Sequence, residues 1–386
     1  MAALSGIKVL DLSRVLAGPW CAMTLADLGA EVIKVESFAG DDTRGMGPPF
    51  IGEISAYFSC ANRSKRSICI DLHKPESAEI IHALVQQADI LIENFRTGTA
   101  ERLGVGYTEL SAINPKLIYC SITGYGRDGP AAQRAGYDYA VQAEGGLMSI
   151  TGSKDGAPNK VAVAVVDLAA GQNATIAVLA ALQQRHNTGR GQHVSVSLFD
   201  TQLSWLANIG ASVLFTGTDA PRYGNEHASI VPYQAFSASD QQFVLTVGNE
   251  KLWHSLCESI GHAEWISDSR FCNNKQRVLN RQVVTENLQD IFSTQPVAYW
   301  LNEFERHGIP CAPINSVKQA LESDLAKANG NVVVANHIPM VASALKLSDS
   351  PVDYSQAPPE LAKHSREILQ ELELDYAHYA ALGVIK

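Results

Sequence analysis

The sequence predicts an α/β protein, with a doubly wound, Rossmann-like large domain on a parallel sheet and a smaller α+β domain after it. Three observations carry this prediction. Short valine- and isoleucine-rich runs alternate with helical spacing through residues 1–200, as expected of a sheet covered on both faces. The first strand, first helix and second strand fit within residues 7–36, the length of a right-handed crossover between parallel strands. Beyond Asp200 the texture shifts to amphipathic helical segments with few strand-like runs.

In order, residues 7–12 read as a buried strand, Pro19 starts a helix that Gly29 ends, and residues 31–36 form the next strand. The intervening turn holds no GxGxxG, which disfavours a nicotinamide or flavin dinucleotide site. Residues 67–72, 89–93 and 116–122 are further strands, with a helix at 75–88. Residues 161–166 form a valine-rich strand or extended segment, Asp167 follows, and an alanine-rich helix runs on to His186, where the glycines of 188–192 stop it. Alternation resumes at 192–198. Residues 201–224 read as a linker, helical over 201–218, 225–329 as the small domain, and 330–386 as a return linker ending in a helix at 365–372 that packs on the large domain.

With 386 residues, 46% hydrophobic and 18% charged, the chain has material for two cores. A formal net charge of -10 argues against nucleic acid or an anionic membrane as partner, so an anionic ligand has to meet a local basic patch. Seven scattered cysteines without CxxC spacing read as reduced thiols. The N-terminus shows no signal core, and no stretch reads as the ~20 apolar residues of a membrane span. The expected location is the cytoplasm, with an organellar matrix as the alternative. No HxxxH, HExxH or Cys/His cluster suggests a metal, and no GxSxG elbow suggests a serine hydrolase.

In a doubly wound sheet the ligand lies outside the carboxyl ends of the strands. The segments expected there hold Arg14, Arg96 and the glycine-rich run 124–129. Together with Arg44, Arg102 and the basic run 62–67 (NRSKRS), they form a set of guanidinium groups suited to phosphates, which they bind through paired hydrogen bonds. Asp167 reads as the N-cap of its helix. The N–H groups of a helix's first turn also favour an ionised carboxylate, which makes Asp167 a candidate nucleophile.

Residues 6–19 (GIKVLDLSRVLAGP), 27–36 (DLGAEVIKVE), 40–44 (GDDTR), 62–67, 93–95 (ENF), 124–126 (GYG), 188–192 (TGRGQ) and 308–313 (GIPCAP) resemble, in order, the family III coenzyme A transferases of the formyl-CoA and carnitine CoA-transferase type. The resemblance implies that Asp167 is the nucleophile of an acyl-CoA:carboxylate CoA-transferase, forming mixed-anhydride and aspartyl-CoA thioester intermediates. Such chemistry needs an ionised carboxylate, donors for an oxyanion and exclusion of water. Taken with the residues above, it makes Arg14, Val15, Leu16, Ala17, Arg66, Arg96 and Arg102 the expected coenzyme A contacts, and Arg44, Asp138, Gly224, Asn225 and His227 the expected substrate contacts. Coenzyme A and acyl-CoA are then substrates, and no tightly bound cofactor is expected.

Racemases of the same family carry histidine in a Gly-His-Asp triplet. The matching triplet here is Gly136-Tyr137-Asp138, and tyrosine, with a pKa of about 10, is a poor proton shuttle at neutral pH. Tyr137 therefore favours transfer and is expected to contact the acyl group or oxyanion. A racemase-like isomerase and a non-catalytic coenzyme A-binding protein remain the alternatives. Residues 223–236 (YGNEHASIVPYQAF) look most similar to the succinyl-CoA:dicarboxylate branch, and the glycine run of formyl-CoA transferases is absent. The expected donor is succinyl-CoA and the acceptor a small dicarboxylic acid. The family often has Arg where this chain has Ser37. The resemblance also implies an interlocked homodimer, with residues 201–224 and 330–360 threading the partner.

Overall fold

A computed structural model describes residues 1–386. Six strands, β1 (Lys8–Asp11), β2 (Glu31–Glu36), β3 (Lys65–Cys69), β4 (Ile90–Glu93), β5 (Ile118–Thr123) and β6 (His193–Ser197), pair in parallel in the order β3-β2-β1-β4-β5-β6. Because successive side chains leave opposite faces of a strand, each strand feeds two cores. Leu10, Ile33 and Leu91 join one core with Ile80, Ile81 and Leu84 of helix α2 (Ser77–Gln87) and with Ile368 and Tyr379 near the C-terminus. Val9, Val32, Ile90 and Ile118 join the other. There they meet Cys21 and Leu25 of α1 (Ala17–Asp27) and Ala170, Ala174 and Val178 of a 24-residue helix, Val165–Thr188.

The strand order reverses between β1 and β4, so the connections leave in opposite directions and open a crevice at the strands' carboxyl ends. A short helix, α3 (Asp138–Glu144), follows β5, and Val165–Thr188 is α4. This last helix corrects two expectations. Residues 161–164 pair with no strand, and α4 begins at Val165, so Asp167 lies inside its first turn. Contrary to the sequence reading, α4 is also long and apolar enough to cross a bilayer by composition; here its Val166, Ala170, Ala174 and Val178 are buried against α1 and the sheet.

The chain divides into two compact units, one comprising Met1–Met148, Lys160–Thr218 and Asp324–Lys386, the other Ser149–Asn159 and Asp219–Ser323. The helices Leu198–Ser204 and Ala207–Thr216 take up most of residues 201–218, the stretch read as a helical connector, and this stretch falls in the first unit. Residues 324–329, read as small domain, also fall in the first unit. In the second unit β7 (Tyr233–Ser237), β8 (Gln242–Thr246) and β9 (Cys311–Pro313) form an antiparallel sheet ordered β9-β8-β7. Helices including Glu250–Ser259, Arg281–Phe292 and Val297–Arg306 enclose an aromatic core of Phe236, Phe243, Trp253, Phe292, Trp300 and Phe304.

Candidate active site

The turn from β1 into α1 is fixed from below by buried charge. Lys34 Nζ donates to the Ser13 carbonyl at 2.9 Å and pairs with Asp41 at 2.9 Å. Lys65 Nζ donates to Asp11 Oδ2 at 2.8 Å, to the Pro19 carbonyl at 2.9 Å and to Asn62 Oδ1 at 2.9 Å. Both ammonium groups are fully enclosed. Burial works against ionisation of Asp11, but Lys65 and Lys34 outweigh it and hold its carboxyl below the ordinary range. Burial, only partly offset by Asp11, pulls the Lys65 ammonium down to about 8. Val15 takes a left-handed φ of 70° at the top of this turn, and its N–H donates to the Asp41 carboxylate at 3.2 Å. The dinucleotide fold's glycine turn is thus replaced by a strained valine held by a carboxylate.

Across the reversal point the loop after β4 is tied to the same turn. Arg14 N–H donates to Asn94 Oδ1 at 2.8 Å, and Asn94 Nδ2 returns a bond to the Arg14 carbonyl at 2.7 Å. Phe95 N–H donates to the Glu93 carboxylate at 2.8 Å. These bonds hold the loop that carries Arg96 beside the turn that carries Arg14, and both arginines line one cleft.

Asp167 reaches that cleft because α4 and α1 touch backbone to backbone. A Cβ at Gly171, one turn beyond Asp167, would stand 2.6 Å from the Ala17 carbonyl oxygen. Gly124 and Gly136 approach as closely, a Cβ on Gly124 meeting Gly136 Cα at 2.5 Å, and this brings Tyr137 and Asp138 to the carboxyl end of β5. The cleft is lined by Arg14, Val15, Leu16, Ala17, Asp42, Asn94, Arg96, Arg134, Tyr137 and Asp167, among others.

The capping of α4 differs from the sequence reading. Its N-cap position is Ala164, with no side-chain bond. The buried carboxylate of Asp138 caps the helix instead, accepting from Val166 N–H at 2.7 Å and Asp167 N–H at 3.3 Å. Val165 N–H goes to the Val163 carbonyl at 2.8 Å and Leu168 N–H to that of Ala164 at 3.1 Å. The first-turn donors are therefore already used and neither hold Asp167 ionised nor await an oxyanion. The Asp167 carboxylate accepts no hydrogen bond in the fold; burial first, and the Asp138 charge second, push its pKa up to about 7. Burial and the Asp167 charge likewise raise the Tyr57 hydroxyl, which stays a proton donor. In the first turn of α1, by contrast, Leu16 offers no side-chain cap, so Ala17 and Gly18 N–H are left without partners.

The cleft gathers Arg14, Val15, Leu16, Ala17, Arg96, Tyr137 and Asp167 from the sequence-predicted set, with Tyr137 67% exposed and free to meet a ligand. It does not gather the others. Arg66 sits in β3 among the carboxylates of Glu31, Glu367 and Glu371. Arg44 forms two 2.8 Å bonds to Glu36 and stacks on Phe58 at 3.8 Å. Arg102 donates to Thr99 at 2.9 Å beyond the loop. Within the basic run, Arg63 pairs with Asp27 and Lys65 with Asp11, so its charge is neutralised internally instead of being presented to phosphate. Asp138 caps α4 and does not line the cleft. Gly224 and Asn225 line a depression of the second unit with residues 150–154, and His227 accepts from Ser229 N–H at 3.1 Å through Nδ1. Sequence reasoning missed Asn94, Arg134 and Gln142. Arg134 lies eight residues past the GYG motif and pairs with Glu144 at 2.7 Å, with no local pattern to reveal it.

An open sheet of this order, with arginines and a carboxylate lining the crevice at its reversal point, defines a doubly wound α/β protein. Residues 4–365 match CoA-transferase family III; the chain belongs to that family and is an enzyme of the CoA-transferase class. The succinyl-CoA:glutarate CoA-transferase of Mus musculus is 41% identical over 378 residues, covering 96% of this chain and 87% of the relative. The succinate–glutarate CoA-transferase of Agrobacterium fabrum is 41% identical over 391 residues, covering 96% of each. The crystal structure of a CAIB/BAIF family protein from Brucella suis, 42% identical, superposes with a TM-score of 0.87 over 96% of this chain and 99% of that one.

Proposed function

We propose that the protein moves coenzyme A from succinyl-CoA to a small dicarboxylic acid such as glutarate, with Asp167 as covalent nucleophile. The observation that carries this reading is the Asp167 carboxylate itself, unbonded and partly buried in the cleft that Arg14 and Arg96 flank. The names of the Mus musculus and Agrobacterium fabrum relatives supply the substrates.

The carboxylate attacks the thioester carbonyl and expels CoA thiolate, leaving a succinyl–aspartyl anhydride. The thiolate then attacks the aspartyl carbonyl, which forms the aspartyl-CoA thioester and releases succinate. The acceptor carboxylate attacks that thioester, and the returning thiolate opens the second anhydride at the acceptor carbonyl, freeing Asp167. The unpartnered N–H groups of Ala17 and Gly18, with the Tyr137 hydroxyl, are our candidates for receiving each oxyanion. Arg14 and Arg96 are our candidates for the phosphates of coenzyme A. Replacing either by alanine is expected to raise KM for succinyl-CoA about tenfold while leaving kcat nearly unchanged, as for loss of one charge-assisted hydrogen bond. Steady-state kinetics at two salt concentrations checks this, and an equal fall in kcat would argue for a role in chemistry.

We further propose an interlocked homodimer, with the stretches near residues 201–224 and 330–360 threading the partner, and a cytoplasmic location, which the seven free thiols support. The test of the mechanism is to supply succinyl-CoA with hydroxylamine, then with borohydride, and to map the modified peptide by mass spectrometry. The expected products are a hydroxamate and an alcohol at Asp167; an unmodified Asp167 under turnover would overturn the mechanism. A panel of mono- and dicarboxylic acceptors then fixes the specificity.

A further inference from the structure

We propose that Asp138 is a positioning residue that sets the reactivity of Asp167, by taking the α4 N–H groups that would otherwise stabilise that carboxylate and by holding a second negative charge beside it. This rests on the reading of Asp167 as nucleophile. Asp138 is 8% exposed, and both its oxygens are engaged. Oδ2 accepts from Val166 and Asp167 N–H at 2.7 and 3.3 Å, and Oδ1 accepts from Gln142 Nε2 at 2.6 Å. Gln142, fully buried, accepts Val161 N–H through its own carbonyl at 2.9 Å. The chain from Val161 through Gln142 and Asp138 to the first turn of α4 therefore fixes the approach to the helix as well as its end.

An ordinary cap would not need a charge here. Serine or asparagine satisfies a helix terminus equally well. A buried aspartate that accepts the N–H of Asp167 itself adds repulsion that a neutral cap avoids. The benefit is chemical, because a carboxylate of raised basicity is a stronger nucleophile toward a thioester. The other groups facing Asp167 do not cancel the effect. Tyr57, on the helix Ala56–Ser59, is neutral. Of the arginines lining the cleft, Arg14 and Arg134 already pair with Asp42 and Glu144, at 3.6 and 2.7 Å, and the influences on Asp167 are burial and Asp138.

The test uses the full-length enzyme and the variants Asp138→Asn and Asp138→Ser, which keep an acceptor for the helix and remove the charge. The acid limb of kcat/KM is expected to move down by about one pH unit in both, and the rate on the alkaline plateau to fall several-fold as the nucleophile weakens. A carbodiimide-labelling titration of Asp167, read by mass spectrometry, reports the same shift without requiring turnover. An unmoved limb and an unmoved labelling curve in the folded variants would reduce Asp138 to a structural cap and overturn the proposal. Failure to trap an adduct at Asp167 in the parent enzyme would instead sink the underlying mechanism, so the two failures are distinguishable. If Asp138→Asn does not fold, Asp138→Ser decides, since its shorter side chain removes the same charge without placing a buried amide.

Discussion

The Asp167→Asn variant is expected to lose turnover by a factor on the order of 10⁴ or more and yet to be more stable than the parent at pH 8. Both effects arise from one carboxylate. Its pKa is pushed up to about 7 by burial and by Asp138, whereas an aspartate in the unfolded chain ionises near pH 3.9. For an acid whose pKa rises on folding, the unfolded chain gives up its proton first. The stability associated with the protonated form is complete below about pH 4 and is lost as the pH climbs through about 7. Above that the folded protein carries an ionised group that the fold disfavours, by roughly 2–4 kcal/mol. Asparagine carries no such charge and breaks no hydrogen bond that the parent's side chain makes. The Tm difference should therefore be near zero at about pH 4 and reach several degrees at pH 8. Thermal melts across that range check the stability half, and an exchange assay with succinyl-CoA checks the other. A Tm difference that does not vary with pH would mean that Asp167 is not strained by its surroundings. Residual turnover near the parent's would assign the nucleophile elsewhere.

This opposition between stability and reactivity also explains what the sequence disclosed and what it hid. The alternation of apolar runs predicted the parallel sheet, because residues such as Val9 and Leu10 must enter cores on opposite faces. Motif position placed Arg14, Arg96, Tyr137 and Asp167 together at the strand ends. The basic run at 62–67 misled, because neighbouring charges in sequence say nothing about carboxylates contributed from Asp11 and Asp27, 54 and 36 residues away. Arg66 was hidden in the same way, as two of its three partners come from the helix Ser365–Glu371, about 300 residues away in the chain. The cap of α4 failed for a related reason. Asp138 lies 28 residues before Val166, so the donor that a local reading assigned to Asp167 was already taken through tertiary structure. Local patterns report which elements form; which polar group a long-range partner satisfies is a property of the assembled fold.

The second large effect is expected beneath the cleft. Asp11→Ala leaves Lys65 enclosed with no carboxylate at hydrogen-bond distance, since the nearest anion it meets, Asp11 Oδ2 at 2.8 Å, is gone. Lys34 keeps Asp41 at 2.9 Å and loses only a 3.9 Å contact. Removing one member of a buried pair costs about 3–5 kcal/mol, because the surviving charge keeps its desolvation penalty. A Tm lower by roughly 4–6 °C follows for a chain of this size. KM for succinyl-CoA should rise as well, since Asp11 also receives Ser13 N–H at 3.0 Å and so anchors the turn that carries Arg14 to Ala17. Lys65→Met alone should be destabilising in its turn, exposing Asp11 to the same penalty. The double variant Asp11→Leu/Lys65→Met removes both charges together and is expected to recover about half of the summed loss, as coupled neighbours do. The recovery stays partial because the Pro19 carbonyl and Asn62 Oδ1 lose the donor that Lys65 gave them. Strict additivity in the double-mutant cycle would show that the two charges do not depend on each other. A stable double variant whose KM remains high would separate the roles of this network, with hydrophobic replacement able to restore the core but not the geometry of the turn above it.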